Sequence, residues 1–251
     1  VSGAAQIPVN DPLLIISAMA AVTKRLCFGV TVSLTYELPY AFARKMSTLD
    51  HITQGRIAWN VVTSYQQSAA VNLGLDRQIP HDERYEIGEE FLEVCYKLWE
   101  SSWEDDAVVH DRSSGVYTDP AKVHDINHAG KYYTVPGPHL SEPSPQRTPY
   151  LFQAGASARG RLFAARHAEA VFLTGTNPHD MRPIVDLLRM QIAEQGRDPR
   201  SVKFVMMLAP ITGPTEQAAK AKLAEILAHG THDTALALYG GWTGVDLSQT
   251  P

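Results

Sequence analysis

Apolar residues along this chain follow two different rhythms. Compact runs rich in β-branched and aromatic residues, Cys27–Leu34, Arg56–Thr63, Tyr150–Ala154, Ala170–Thr174 and Ser201–Ile211, predict strands. Between them lie segments of helical spacing: Pro12–Thr23, Pro39–Thr53, Ala158–His167, Pro178–Gln195 and Thr215–His229. Pro39 falls in a first turn, where its missing N–H costs no intrahelical bond. Asp82 is the expected N-cap of a further helix reaching about Glu100, with Ile87, Phe91, Val94, Cys95 and Leu98 on one face. Strand and helix in alternation imply a parallel sheet covered by helices, the α/β class.

The rhythm breaks once. Ser101–Pro149 is polar and rich in Pro, Gly, Asp and His, and only Lys131–Val135 looks strand-like. A connection this long inside a compact fold is usually functional or mobile. It is expected to be an insertion at about 101–149, lying as a lid over the ligand-binding face.

Composition narrows the class. Hydrophobic residues make up 44% of the 251 and charged residues 20%, enough apolar material for a sizeable core. The net charge of −5 and the lack of any Lys/Arg run argue against nucleic acid or an anionic membrane as partner. Leu13–Val22, the longest apolar stretch, is too short to span a bilayer, and no secretory signal opens the chain. A cytoplasmic protein is expected. Cys27 and Cys95 sit in strand-like and helix-like contexts, which suits reduced core thiols better than a disulfide.

Three constellations carry candidate chemistry. In Leu49–Ser64 a helix end passes through a Gly-Arg turn into a strand, and Asn60, Thr63 and Ser64 stand at or just past its end. Ligands of parallel α/β folds bind at that end, although an ordinary polar βα turn has the same composition. Gln153–Gly160, reading Gln-Ala-Gly-Ala-Ser-Ala-Arg-Gly, follows a strand and opens a helix. Its small residues allow close backbone approach, and free N–H groups at a helix start attract anions. Ser157 adds a hydroxyl, and Arg159 or Arg161 adds charge. No Walker lysine follows, and the Rossmann glycine spacing is absent.

The third constellation is His81-Asp-Glu-Arg-Tyr85. Four residues apart on a helix, His81 and Tyr85 share a face and present imidazole and phenol donors to one anionic group. The competing reading makes Tyr85 a core anchor and His81 a helix cap. His124, His128 and His139 lack zinc-ligand spacing and are expected to be solvated. No Gly-x-Ser-x-Gly elbow supports a serine hydrolase.

Together these segments resemble the bacterial-luciferase-like flavin monooxygenases, in the branch of the nitrilotriacetate and dibenzothiophene-sulfone monooxygenases. FGVTVSLTYELPYAFARKMSTLDHITQGRIAWNVVTS, NLGLDRQIPHDERYEIGEEFLEV and PYLFQAGASARGRLFAARHAEAVF carry the resemblance, which runs from about Asp11 to Thr250. It implies a TIM (β/α)8 barrel and reduced FMN (FMNH2) delivered by a separate NAD(P)H:flavin reductase, a two-component system. O2 and a small organic substrate, such as a sulfone or aminopolycarboxylate, would meet at a flavin C4a-(hydro)peroxide. It marks Thr31 and Asn60 as flavin contacts and His81 and Tyr85 as contacts near the ribityl phosphate. Ser157, with Ala156 beside it, is marked as the phosphate site. A homo-oligomer is expected, and no catalytic residue is assigned.

Five βα units fall short of the eight that a barrel needs, and the chain begins with Val1. One partial barrel domain over 1–251, an internal fragment, is therefore expected. A deazaflavin-dependent oxidoreductase of the same superfamily and a non-catalytic flavin-binding protein are the alternatives.

Overall fold

The computed structural model describes residues 9–155, 157–175 and 177–243. The chain separates into two compact units, Pro12–Ser64 with Ile79–Met206, and a smaller one of Val1–Asp11, Tyr65–Gln78 and Met207–Pro251. The larger unit begins with α1 (Pro12–Val22), β1 (Phe28–Ser33), a one-turn helix Leu34–Tyr36, α2 (Pro39–Thr53) and β2 (Ile57–Val62). The smaller unit contributes α3 (Gln67–Asn72). The larger continues with α4 (His81–Tyr96), hairpin strands β3 (Val108–Asp111) and β4 (Val116–Thr118), and β5 (His128–Ala129) with β6 (Thr134–Val135). It closes with β7 (Tyr150–Gln153), α5 (Ala158–His167), β8 (Ala170–Leu173), α6 (Pro178–Glu194) and β9 (Lys203–Met206). The smaller unit adds α7 (Glu216–Ala228) and α8 (His232–Thr243).

The expected strands and helices form, and five strands run parallel in one sheet in the order β1-β2-β7-β8-β9. Side-chain alternation splits the sheet into two faces. Val30, Ile57, Trp59, Val61 and Leu151 join Phe42 and Met46 of α2 and Phe91 and Leu92 of α4 in one buried cluster. Trp59 lies 4.5 Å from Phe42 and 6.0 Å from Phe91, centroid to centroid. Truncating an aromatic in such a core typically costs about 3–5 kcal/mol. A second cluster joins Ala164, Ala165, Val171, Leu188 and Ile192 across α5, β8 and α6. The other sheet face carries Thr31, Asn60 and Phe152 in register, and Phe152 stacks on Phe172 at 5.0 Å.

The Gly-Arg turn has a structural task. Gln54 caps α2 in the left-handed conformation, φ 55°, and Gly55 follows at φ 79°, where a Cβ would be strained. Arg56 then donates to Thr23 O, Leu26 O and Thr53 O at 3.1, 2.7 and 2.6 Å. One guanidinium thus ties the loop before β1 to the loop before β2.

Three expectations change. The helix with the His-Asp-Glu-Arg-Tyr motif starts at His81, and Pro80 is its cap residue, so Asp82 lies in the first turn and pairs with His81 at 2.7 Å. Cys27 precedes β1 and is exposed; only Cys95 is a core thiol. His128 and His139 are buried, because partners distant in sequence enclose them, whereas His124 is half-exposed beside Glu104. His128 lies between Glu90 and Lys97, and His139 pairs with Ser47.

The segment 101–149 is tied to the surrounding elements by specific bonds. Glu90 of α4 accepts from the backbone N–H groups of Lys131, Tyr132 and Tyr133 at 2.7–3.0 Å. Gln146 donates to Asp50 of α2 and to the carbonyl of Ile57, the first residue of β2, at 2.6 and 2.9 Å. These bonds run to α2, α4 and the amino-terminal end of β2.

His139 makes stability depend on pH. Its ring lies 2.9 Å from Ser47 Oγ. Burial, then the nearby His51, pushes its pKa from 6.5 down to about 4. The unfolded chain therefore takes up the proton first, so this contribution is complete above pH 6.5 and is lost as pH falls towards 4. We expect His139→Gln to flatten the fall of Tm between those values relative to wild type. Parallel Tm profiles would contradict this.

Candidate functional site

The carboxyl ends of β1 and β2 bring together polar groups with unmet hydrogen-bonding capacity. Thr31 and Asn60 are register partners, and Asn60 Nδ2 donates to Thr31 Oγ1 at 2.9 Å. That bond turns the amide, leaving Asn60 Oδ1 buried with no partner among the described residues; Ser33 Oγ at the end of β1 is in the same condition. Buried polar atoms are nearly always satisfied, so orphans gathered at strand ends point to a ligand. Thr35 Oγ1 donates to Thr63 O at 2.6 Å and clamps the two strand ends together. Directly after it, Ser64 is left-handed at φ 57°, the kind of backbone outlier found at functional sites.

His81 and Tyr85 do share a face of α4. Their rings meet edge-on at 5.2 Å, and Tyr85 meets Phe163 of α5 at 5.5 Å. Tyr85 is packed as a core anchor, with its polar end placed at the start of α5. Its ring is buried in the core, while its hydroxyl stands where a Cβ on Gly160 would come within 2.7 Å. His81 stays half-exposed, its Nδ1 turned to Asp82.

Ser157 is the N-cap of α5, and its Oγ accepts from Gly160 N at 3.0 Å. The hydroxyl proton remains available to an anion in front of the helix. A Cβ on Gly155 would sit 2.8 Å from Gly160 Cα, so this turn tolerates no side chain there. Gly155 N also donates to Gln153 Oε1 at 2.6 Å, which fixes the loop. No acidic residue occupies the first turn of α5. Partial positive charge from the helix start is therefore unopposed within its own element. Ala156 lies outside the described residues.

A separate network sets α5 against α4. Tyr96 Oη is 3.1 Å from His167 Nδ1, and His167 Nε2 is 2.8 Å from Glu89 Oε2. Arg166 adds a bond to Glu89 at 2.9 Å. Burial pushes the Glu89 carboxyl up, but the His167 and Arg166 partners outweigh it and hold it below the usual range. The sequence reading passed over Ser33 and Arg84. Arg84 stood inside the singled-out motif, but nothing local signals that its side chain is buried. Among the described residues no cluster of His, Cys, Asp and Glu suits a metal ion. Nor is any helix there long and apolar enough to cross a membrane.

Parallel strands with a glycine-lined helix start and orphaned polar atoms at their carboxyl ends define an α/β protein with a candidate ligand site at the carboxyl end of its sheet. The luciferase-like monooxygenase family matches residues 2–246, and the chain belongs to that family. It is 57% identical over 244 residues to the dimethyl-sulfide monooxygenase of Hyphomicrobium sulfonivorans, covering 97% of this chain and 51% of that protein. Nitrilotriacetate monooxygenase component A of Aminobacter aminovorans is 38% identical over 84% of this chain and 47% of its own length.

Among solved structures, a long-chain alkane monooxygenase superposes with TM-score 0.96 at 56% identity, covering 99% of this chain and 57% of that one. A riboflavin lyase, solved with modified FMN and riboflavin, gives 0.93 at 41% identity, covering 98% and 55%. The fold is thus that of the bacterial-luciferase-like TIM barrels, α/β with a parallel sheet. The chain spans about half the length of the curated relatives it matches.

Two substitutions test whether the start of α5 binds a flavin phosphate. Asp is as good an N-cap as Ser, so Ser157→Asp keeps the helix start while setting a charge against the phosphate. We expect FMN affinity to fall at least tenfold, within the roughly 1.5–3 kcal/mol that a hydrogen bond to a charged group carries. Unchanged affinity by fluorescence titration would remove Ser157 from the site. For Tyr85→Phe we expect a raised FMN Kd with Tm nearly intact. A large Tm loss with normal FMN binding would leave the core-anchor role alone.

Proposed function

We propose that this chain is the flavin-binding part of an FMNH2-dependent monooxygenase of the two-component kind. A separate NAD(P)H:flavin reductase would supply the reduced flavin, and a small organic molecule would be the substrate. The observation that carries the reading is the convergence of Ser157, Gly160 and Tyr85 Oη at the start of α5. It lies in one unit with the orphaned Asn60 Oδ1 and Ser33 Oγ at the strand ends.

These residues fit FMN. Ser157 and the free N–H groups of α5 would hold the phosphate, with Tyr85 and His81 as further donors, and Asn60 and Thr31 would face the ring system. Bound reduced FMN supplies the electrons that activate O2. The chain's own part is to orient the flavin and keep water from the reacting atoms, which needs shape and fixed dipoles more than an acid or base. The Thr31–Asn60 bond serves this by holding the amide in one orientation. Family names alone span a sulfide, an alkane and nitrilotriacetate, so the sheet geometry carries the cofactor assignment and leaves substrate choice to other contacts.

The decisive assay is oxygen consumption by the full-length protein with photoreduced FMN and a panel of sulfides, sulfones, alkanes and aminopolycarboxylates. Substrate-dependent O2 uptake with product oxygenation is expected. Turnover that proceeds without oxygen, or tight flavin binding with no turnover, would contradict the monooxygenase reading.

A further inference from the structure

Arg84 lies within the candidate site, and the flavin reading does not use it. It lies in the second turn of α4 and is only 8% exposed. A guanidinium offers five N–H donors. Here Nη1 donates to Ile79 O at 2.6 Å, and Nε is buried with no acceptor. Among the described residues no carboxylate comes within ion-pair distance of it. Buried arginines are normally paired, and an unpaired one marks a place built for an anion. Burial lowers its pKa from the ordinary value, while Tyr85 and Tyr36 act the other way.

Its surroundings share that polarity. Arg84 folds back over the start of α4, reaching the carbonyl just before the cap residue Pro80, and Pro80 offers no side-chain acceptor to the first-turn N–H groups. Asp82 and Glu83 stand in that turn, but Asp82 is exposed and turned to His81. Consecutive on α4, Arg84 and Tyr85 point about 100° apart around the helix. Tyr85 and Tyr36, the latter in the turn after β1, both act on the Arg84 charge, while the Tyr85 ring meets Phe163 and its hydroxyl stands by Gly160 of α5. Ser33, with its orphaned Oγ, immediately precedes that turn.

We propose that Arg84 is the recognition residue of an oxyanion site between the start of α4 and the Leu34–Tyr36 turn. It would take a carboxylate, sulfonate or phosphate group of a ligand other than the flavin phosphate at Ser157. Nε and an Nη nitrogen present the planar fork that matches two oxygens of such a group. The inference rests on the flavin reading insofar as it assigns this anion to the substrate's acid group.

The test uses the full-length protein saturated with FMN and titrated with methanesulfonate and with inorganic phosphate, followed by Tm and calorimetry against chloride of equal ionic strength. We expect saturable binding of one or both oxyanions on top of FMN, weakened at least tenfold in Arg84→Gln and less in Arg84→Lys. The FMN Kd should change less than twofold in either variant. The wild-type titration decides even where Arg84→Gln does not fold, because no saturable response beyond chloride overturns the site. A response that vanishes once FMN is bound overturns its separateness and gives Arg84 to the flavin phosphate. If FMN fails to bind at all, the flavin reading falls, while the same oxyanion titrations without FMN still decide Arg84.

Discussion

The indole of Trp59 is the contact on which the candidate site depends. Its ring is fully buried between Phe42 of α2 and Phe91 of α4, and its Nε1 donates to Val32 O across the sheet at 3.0 Å. One side chain therefore sets the spacing of two helices against the sheet and holds β1 against β2. Because side chains alternate along a strand, Trp59 facing the helices obliges its neighbour Asn60 to face the other way, beside Thr31. A slip of one residue would put the tryptophan on the face of the candidate site. Core packing and site geometry are here the same constraint.

From that frame the functional groups take positions that different local rules determine. Asn60 and Thr31 are placed by strand register, Ser157 by its capping bond, and Tyr85 by edge-on contact with Phe163. The Tyr96–His167–Glu89 network ties the far ends of α4 and α5, so the two helix starts that would meet the ligand are fixed in relative position. Such preorganisation matters for a flavin site, where the protein contributes orientation and exclusion of water.

What was legible in the sequence follows the same division. The strands and helices were readable because burial on one side imposes a period, and Ser157 was readable because capping is a local chemical preference. Buried polar groups were not. His139 is enclosed by Ser47, 92 residues away, and Gln146 meets Asp50 across 96 residues, so no window of sequence holds both partners. The start of α4 lies two residues before the expected one, because Asp82, a good cap by type, follows a proline that already ends the extended segment. Ser33 and Arg84 carry unmet hydrogen-bonding capacity that exists only in three dimensions.

The central claim is that the start of α5 holds a flavin by its phosphate. The direct measurement is the ratio of dissociation constants for reduced riboflavin and reduced FMN, taken anaerobically on the full-length protein. Riboflavin keeps the ring system and lacks only the phosphate. The account predicts that FMN binds at least tenfold more tightly, a difference of about 1.4 kcal/mol or more. Equal affinity for the two would contradict it, and Ser157, Gly160 and Tyr85 would then be no more than a well-packed helix start.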